Sequence, residues 1–138
     1  MIPLGYEKVH CINVYLEPKP TESVIKRRQR IVQIVDDILS QHKDARIVVG
    51  GDINREMDTL NKELLVRGFT QALEPGTPTH KLGNHLDQVW VKNLRVVSAL
   101  VANVVDQVSD HNLIKVEIGA PNLSRKRVTF ADQRPESK

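Results

Sequence analysis

Val48-Val49-Gly50-Gly51-Asp52-Ile53-Asn54 is the stretch from which the fold is read. A β-branched run at 47–49 ends in two glycines, and an acid, an apolar residue and an amide follow. This pattern predicts a buried strand that delivers Asp52 and Asn54 to the end of a sheet. Continued strand alternation puts both on one face, with Ile53 turned the other way. The glycines let a backbone or a ligand come close. An acid and an amide projecting together make a candidate catalytic pair, although Gly-Asp after a strand is also common in plain turns.

Upstream, residues 9–16 form a second strand by residue type. Alternation sets His10, Ile12, Val14 and Leu16 on one face and Val9, Cys11, Asn13 and Tyr15 on the other. Both faces carry apolar groups, so the strand is expected to be covered on both sides, with Cys11 in the core. Pro18 and Pro20 end it. Thr21 or Ser23 then caps a long helix. Its apolar residues Val24, Ile25, Ile31, Val32, Ile34, Val35, Ile38 and Leu39 share one face. Lys26, Arg27, Arg28 and Arg30 lie opposite, as a solvated face or as a grip on phosphates. Strand, amphipathic helix and the strand at 46–51 suggest a crossover unit.

Downstream, residues 60–67 read as a short helix stopped by Gly68. Residues 69–71 read as a brief strand, and 73–79, with Pro75, Gly76 and Pro78, as a loop. Strands follow at 86–91, 96–101 and 112–118, with a less regular stretch at 104–108. From Ala120 the composition cannot supply a core, and a disordered tail is expected.

Composition limits the possibilities. At 138 residues the chain is one domain at most. No apolar run approaches the ~20 residues of a membrane span, and the start does not read as a signal peptide. The single cysteine, Cys11, excludes an internal disulfide framework and fits a reducing compartment, hence an intracellular location, nuclear or cytoplasmic. Residues 120–138 hold five bases against two acids, which accounts for the whole net charge of +3. The basic balance therefore belongs to the tail and says little about whether the folded part meets nucleic acid.

Polar groups follow strand signals repeatedly. Asp52 and Asn54 close one strand, Asp87 opens another, and Ser109-Asp110-His111 precedes the last. Acids and a histidine gathered at strand ends suit metal-assisted hydrolysis of phosphate esters. A carboxylate holds a hard divalent cation through oxygen. Another positions or deprotonates a water. A histidine stabilises charge developing on the phosphate, while a further carboxylate fixes its tautomer. His80 and His85 read as solvated loop histidines.

Several of these pieces resemble the endonuclease/exonuclease/phosphatase superfamily, which includes exonuclease III-like repair nucleases, deoxyribonuclease I and the endonucleases of non-LTR retrotransposons. Asn13-Val14-Tyr15, Gly51-Asp52-Ile53-Asn54, Pro78-Thr79-His80, Leu86-Asp87-Gln88-Val89 and Ser109-Asp110-His111 occur in family order, over about residues 8–118. The resemblance implies roles. Asp52 orients or deprotonates the attacking water, and Asn54 holds that water and the phosphate. Asp87 hydrogen-bonds His111, and His111 contacts the scissile phosphate. Tyr15 offers its hydroxyl to the same phosphate, or is an ordinary core aromatic. Asp110 takes part in a Mg2+ or Mn2+ site.

The resemblance also implies the fold: α/β (α+β), the C-terminal half of a four-layer α-β-β-α sandwich, with a mixed sheet and flanking helices. Residues 1–119 are then a partial domain and 120–138 a basic tail. The family's first half carries its main metal-binding glutamate, and neither Glu7 nor Glu17 sits in that motif. A half-sandwich leaves one sheet face uncovered, so the missing half or another chain is expected to cover it. The implied function is a partial phosphodiesterase domain, a DNA endonuclease in the first reading, with DNA as partner of the complete domain and the isolated chain inactive. Alternatives are an inositol-phosphate phosphatase fragment and a non-catalytic interaction module. The last rests on Arg127-Val128-Thr129-Phe130, similar to the RVxF motif that docks on protein phosphatase-one through residues such as Val128 and Phe130.

Overall fold

A computed structural model describes residues 8–102 and 110–121. The expected stretch at 104–108 and the docking residues Val128 and Phe130 lie outside the described residues. In chain order the elements are β1 (Val9–Tyr15), α1 (Glu22–Gln41), β2 (Arg46–Asp52), a 3-10 turn (Asn54–Glu56), α2 (Met57–Leu65), β3 (Thr70–Gln71), β4 (Asp87–Lys92), β5 (Arg95–Ala102) and β6 (Leu113–Gly119). Four strands make a mixed sheet in the order β1-β2-β4-β3, and β5 pairs with β6 separately. The β1–β2 pair is parallel and spans the α1 crossover, while β4 runs antiparallel to both β2 and β3. The architecture is mixed α/β, with helices against a mixed sheet.

Local sequence explains the elements. Thr21 is the N-cap of α1, its side chain accepting the Val24 N–H at 3.3 Å. The buried stripe Val24, Ile31, Val32 and Val35 packs with Val14, Leu16, Ile47 and Val49 of the strand region. Each such side chain contributes about 1.5–3 kcal/mol by leaving water. Leu60 and Leu64 of α2 join the same core. Trp90 is fully buried, and its indole N–H donates to Asn61 Oδ1 at 2.7 Å. Arg28 of α1 donates to Glu56 at 2.6 Å and also to Glu63 of α2. Arg67 reaches back to Asp36 at 2.7 Å. One basic side chain of α1 therefore ties the two helices together.

The expectation that β1 is covered on both sides is corrected. Val14 and Leu16 are buried on the helix side, but Val9, Cys11, Asn13 and Tyr15 are all exposed. Cys11 is therefore not in the core. The sheet face turned away from the helices carries Val48, Gly50 and Asp52 on β2 and Asp87 and Val89 on β4, by strand parity. It is a mixed polar and apolar surface, with its acidic groups at one end. Separately, Val97, Leu100, Leu113 and Ile118 are exposed on β5 and β6.

Gly51 sets the end of β2. Its φ is +146°, and a Cβ there would lie 1.9 Å from the Val14 carbonyl oxygen on the paired strand. Neither backbone can yield without breaking the β1–β2 ladder. Gly51→Ala is expected to cost about 3 kcal/mol or more in urea unfolding. A Cβ at Gly76 meets no described residue within 4 Å, so Gly76→Ala should cost only the roughly 1–2 kcal/mol of a left-handed alanine.

Candidate active site

Strand register builds the first part of the site. Tyr15 pairs with Asp52, and Asp52 pairs with Asp87. Side chains at paired positions share a face, so the three stand in one row across β1, β2 and β4. After Asp52 the chain turns sharply. Leu16 N–H donates to Asp52 O at 2.9 Å, and Leu86 O accepts the N–H groups of both Ile53 and Asn54, at 2.7 and 3.1 Å. Asn54 adopts φ +52° and is buried; its Nδ2 donates to Leu16 O at 2.7 Å. The expected strand continuation through Asn54 is thus corrected. An amide tolerates the left-handed conformation, and here it clamps the corner that carries Asp52.

The loop before β4 supplies the second part. The buried Thr79 hydroxyl accepts the N–H groups of both Leu86 and Asp87, each at 3.0 Å. Thr79 O accepts Asn112 N–H at 2.7 Å, and Lys81 N–H donates to Asp110 O at 2.8 Å. His80 and His111 form an isolated antiparallel bridge. Residues 79–81 therefore join the start of β4 to the Asp110-His111 segment, and backbone bonds on both sides fix their spacing. Gln88 is buried and ties β4 to Leu73, donating to Leu73 O and accepting Leu73 N–H, both at 2.9 Å.

His111 lands between the acids. Its Nδ1 lies 2.7 Å from Asp87 Oδ2, and its Nε2 lies 3.4 Å from Asp52 Oδ2 and 3.8 Å from Asp110 Oδ1. An ionised carboxylate only accepts, so the short Asp87 contact puts a proton on Nδ1. Burial disfavours the charged ring, but the Asp87 hydrogen bond and the charges of Asp87, Asp52 and Asp110 outweigh it and raise the His111 pKa. Asp52 is also pushed up, first by burial and then by the Asp87 charge, against the pull of His111 and Asn54. Asp110 is highly exposed, and its pKa is lowered, mainly by a hydrogen bond from His80.

The donor set fits a metal ion. Asp52, Asp87 and His111 offer ligand atoms within 4.8 Å of one another, as do His80, Asp110 and His111. Asp52 Oδ1 is buried, and no hydrogen-bond partner for it occurs among the described residues. A cation or a proton would satisfy such an oxygen, and carboxylates suit a hard divalent cation.

Among the residues singled out from sequence, Asp52, Asp87, Asp110 and His111 meet at one rim. Asn54 braces that rim from inside. Tyr15 stands beside Asp52 and is 59% exposed, so it is not a core aromatic. His80 and His85 are not solvated loop histidines. His80 is 14% exposed at its side chain and engages Asp110. His85 is half-buried, accepts Gly76 N–H at 3.0 Å on Nδ1, and has its pKa lowered by burial. The brace formed by Thr79 and Gln88 was missed. The signal is the threonine of Pro78-Thr79-His80, which marks a family segment without saying which backbone donors its hydroxyl accepts.

Thr79→Val is expected to orphan two backbone donors, cost about 2 kcal/mol or more, and speed hydrogen exchange at Leu86 and Asp87; Thr79→Ser should retain both bonds. Histidine NMR titration in a chelator should place the His111 midpoint above its ordinary 6.5, and Asp87→Asn should bring it down. The folded ring binds its proton more tightly than the unfolded one. Its contribution to stability is therefore full below about pH 6.5 and is lost as pH rises through the folded midpoint.

The profile described as Endonuclease/Exonuclease/phosphatase family matches residues 3–111. No curated protein matches the sequence significantly. Among solved structures, an endonuclease/exonuclease/phosphatase from Beutenbergia cavernae superposes with a TM-score of 0.58 at 16% identity. That match covers 78% of this chain and 34% of the bacterial one, so this chain spans about a third of its relative's length. At that identity the likeness speaks to the fold, while the profile spans most of the chain. The chain belongs to the endonuclease/exonuclease/phosphatase family.

Proposed function

We propose that these residues are the water- and phosphate-handling part of a divalent-metal-dependent phosphodiesterase that acts on DNA. The observation that carries the reading is the His111 ring held between Asp87 and Asp52, with Asp110 at the same rim. Asp87 keeps the Nδ1 proton in place, so Nε2 is the atom presented to substrate. The raised His111 pKa favours a protonated Nε2, which donates to a phosphate oxygen as charge builds there. Asp52, desolvated and beside that ring, orients water and accepts its proton. Tyr15 offers its hydroxyl from the neighbouring strand. Asn54 holds the Asp52 corner fixed.

Asp110 would take part in holding Mg2+ or Mn2+ here, at the rim where two clusters of donor atoms share His111. When bound, such an ion supplies Lewis-acid stabilisation of the phosphoryl oxygens. The match covers only 34% of the bacterial relative, so we place full turnover in a longer domain that contains these residues. Within that domain, Mg2+-dependent nicking of supercoiled plasmid should fall by about 10²–10⁴-fold in His111→Ala. The 138-residue chain alone should nick weakly. Nicking in the complete domain that is indifferent to His111→Ala contradicts the reading. Turnover of inositol phosphates in place of DNA would replace the substrate assignment.

A further inference from the structure

His80 lies outside the set of groups assigned a chemical role, yet it is held at both ring nitrogens. Nδ1 accepts the Leu82 N–H at 3.1 Å, and Nε2 lies 3.1 Å from Asp110 Oδ2. The ring is only 14% exposed, although it sits in a loop. It meets the His111 ring edge-on, with centroids 5.1 Å apart and planes at 86°. Its backbone bridges to His111, and the next residue, Lys81, donates its N–H to Asp110 O.

The Leu82 contact decides what His80 can do. A nitrogen that accepts an N–H carries no proton, so the proton of a neutral ring is on Nε2. Nε2–H then points at Asp110 and donates to it. The alternative is that His80 joins Asp110 and His111 as a metal ligand, since their ligand atoms cluster within 4.8 Å. Ligation through Nε2 would move the proton to Nδ1 and set it against the Leu82 N–H, donor facing donor. The hydrogen bond therefore disfavours ligation and favours an orienting role.

Asp110 needs such a partner. Its side chain is 70% exposed, and an exposed carboxylate samples several rotamers unless something fixes it. We propose that His80 is a positioning residue: its Nε2–H orients the Asp110 carboxylate and its ring buttresses His111, so one loop histidine sets the geometry of both. This rests on the reading of Asp110 as part of the divalent-metal site. Partners that orient metal-binding carboxylates from behind are commonly worth about 10–100-fold in metal affinity.

Two measurements on the full chain test it. Long-range proton–nitrogen NMR of labelled histidine, at mildly alkaline pH and without metal, should show His80 as the Nε2–H tautomer; an Nδ1–H tautomer overturns the proposal. Electron paramagnetic resonance of free Mn2+ then gives metal affinity for the wild type and variants. His80→Ala should weaken Mn2+ binding about tenfold. His80→Gln, whose amide N–H can replace the donor, should stay within about threefold of wild type, and His80→Ala should add little to Asp110→Asn. Weakened binding in Asp110→Asn with His80→Ala silent overturns the positioning role alone. Equal loss in His80→Gln and His80→Ala also overturns it. Absence of Mn2+ binding by the wild type, or indifference to Asp110→Asn, overturns the metal reading and this proposal with it.

Discussion

Two carboxylates at directly paired positions on neighbouring strands repel each other, and the rim of this protein is built around that repulsion. Asp52 and Asp87 occupy such positions on β2 and β4. The His111 ring relieves the conflict by contacting one carboxylate with each nitrogen. The same conflict shifts the protonation of both Asp52 and His111. After burial, which is the larger cause, it raises the Asp52 pKa, and the same acidic groups help raise that of His111. Three acids around one imidazole would be an expensive arrangement with no function attached. It fits a site that borrows positive charge when it works.

The backbone makes this arrangement rigid. Gly51 lets β2 run against Val14 without a side chain in the way. Asn54 fastens the corner beyond Asp52 to Leu16. On the other side, one buried hydroxyl, that of Thr79, fixes the first residues of β4, and the same segment hydrogen-bonds the Asp110-His111 stretch. Asp52 and Asp87 are thus each braced by a neighbour that has no charge of its own, Asn54 and Thr79. A displacement at Thr79 would reach Asp87 and His111 together, because both hang from one short loop.

Much of this was legible in the sequence, for local reasons. Periodicity and the Thr21 cap gave α1, and β-branched runs gave β1, β2 and β4. Short acid-bearing motifs in family order pointed to Asp52, Asp87, Asp110 and His111. What failed was whatever depends on the third dimension. Alternation separates two faces of a strand but does not say which is covered, so Cys11 was assigned to the core and is exposed. Asn54 could continue a strand or take a left-handed turn, and the choice rests on a hydrogen bond to a residue 38 positions away. His80 reads as a solvated loop histidine because the groups its ring meets across the site, Asp110 and His111, lie about 30 positions along the chain.

The central claim is that Asp52, Asp87, Asp110 and His111 form one rim that a divalent cation can enter. The most direct test is an anomalous difference map from crystals grown with Mn2+. The account predicts a peak at this rim against the Asp110 carboxylate, with His111 still bonded to Asp87. A peak elsewhere on the molecule, no peak at all, or a His111 ring turned away from Asp87 would contradict it.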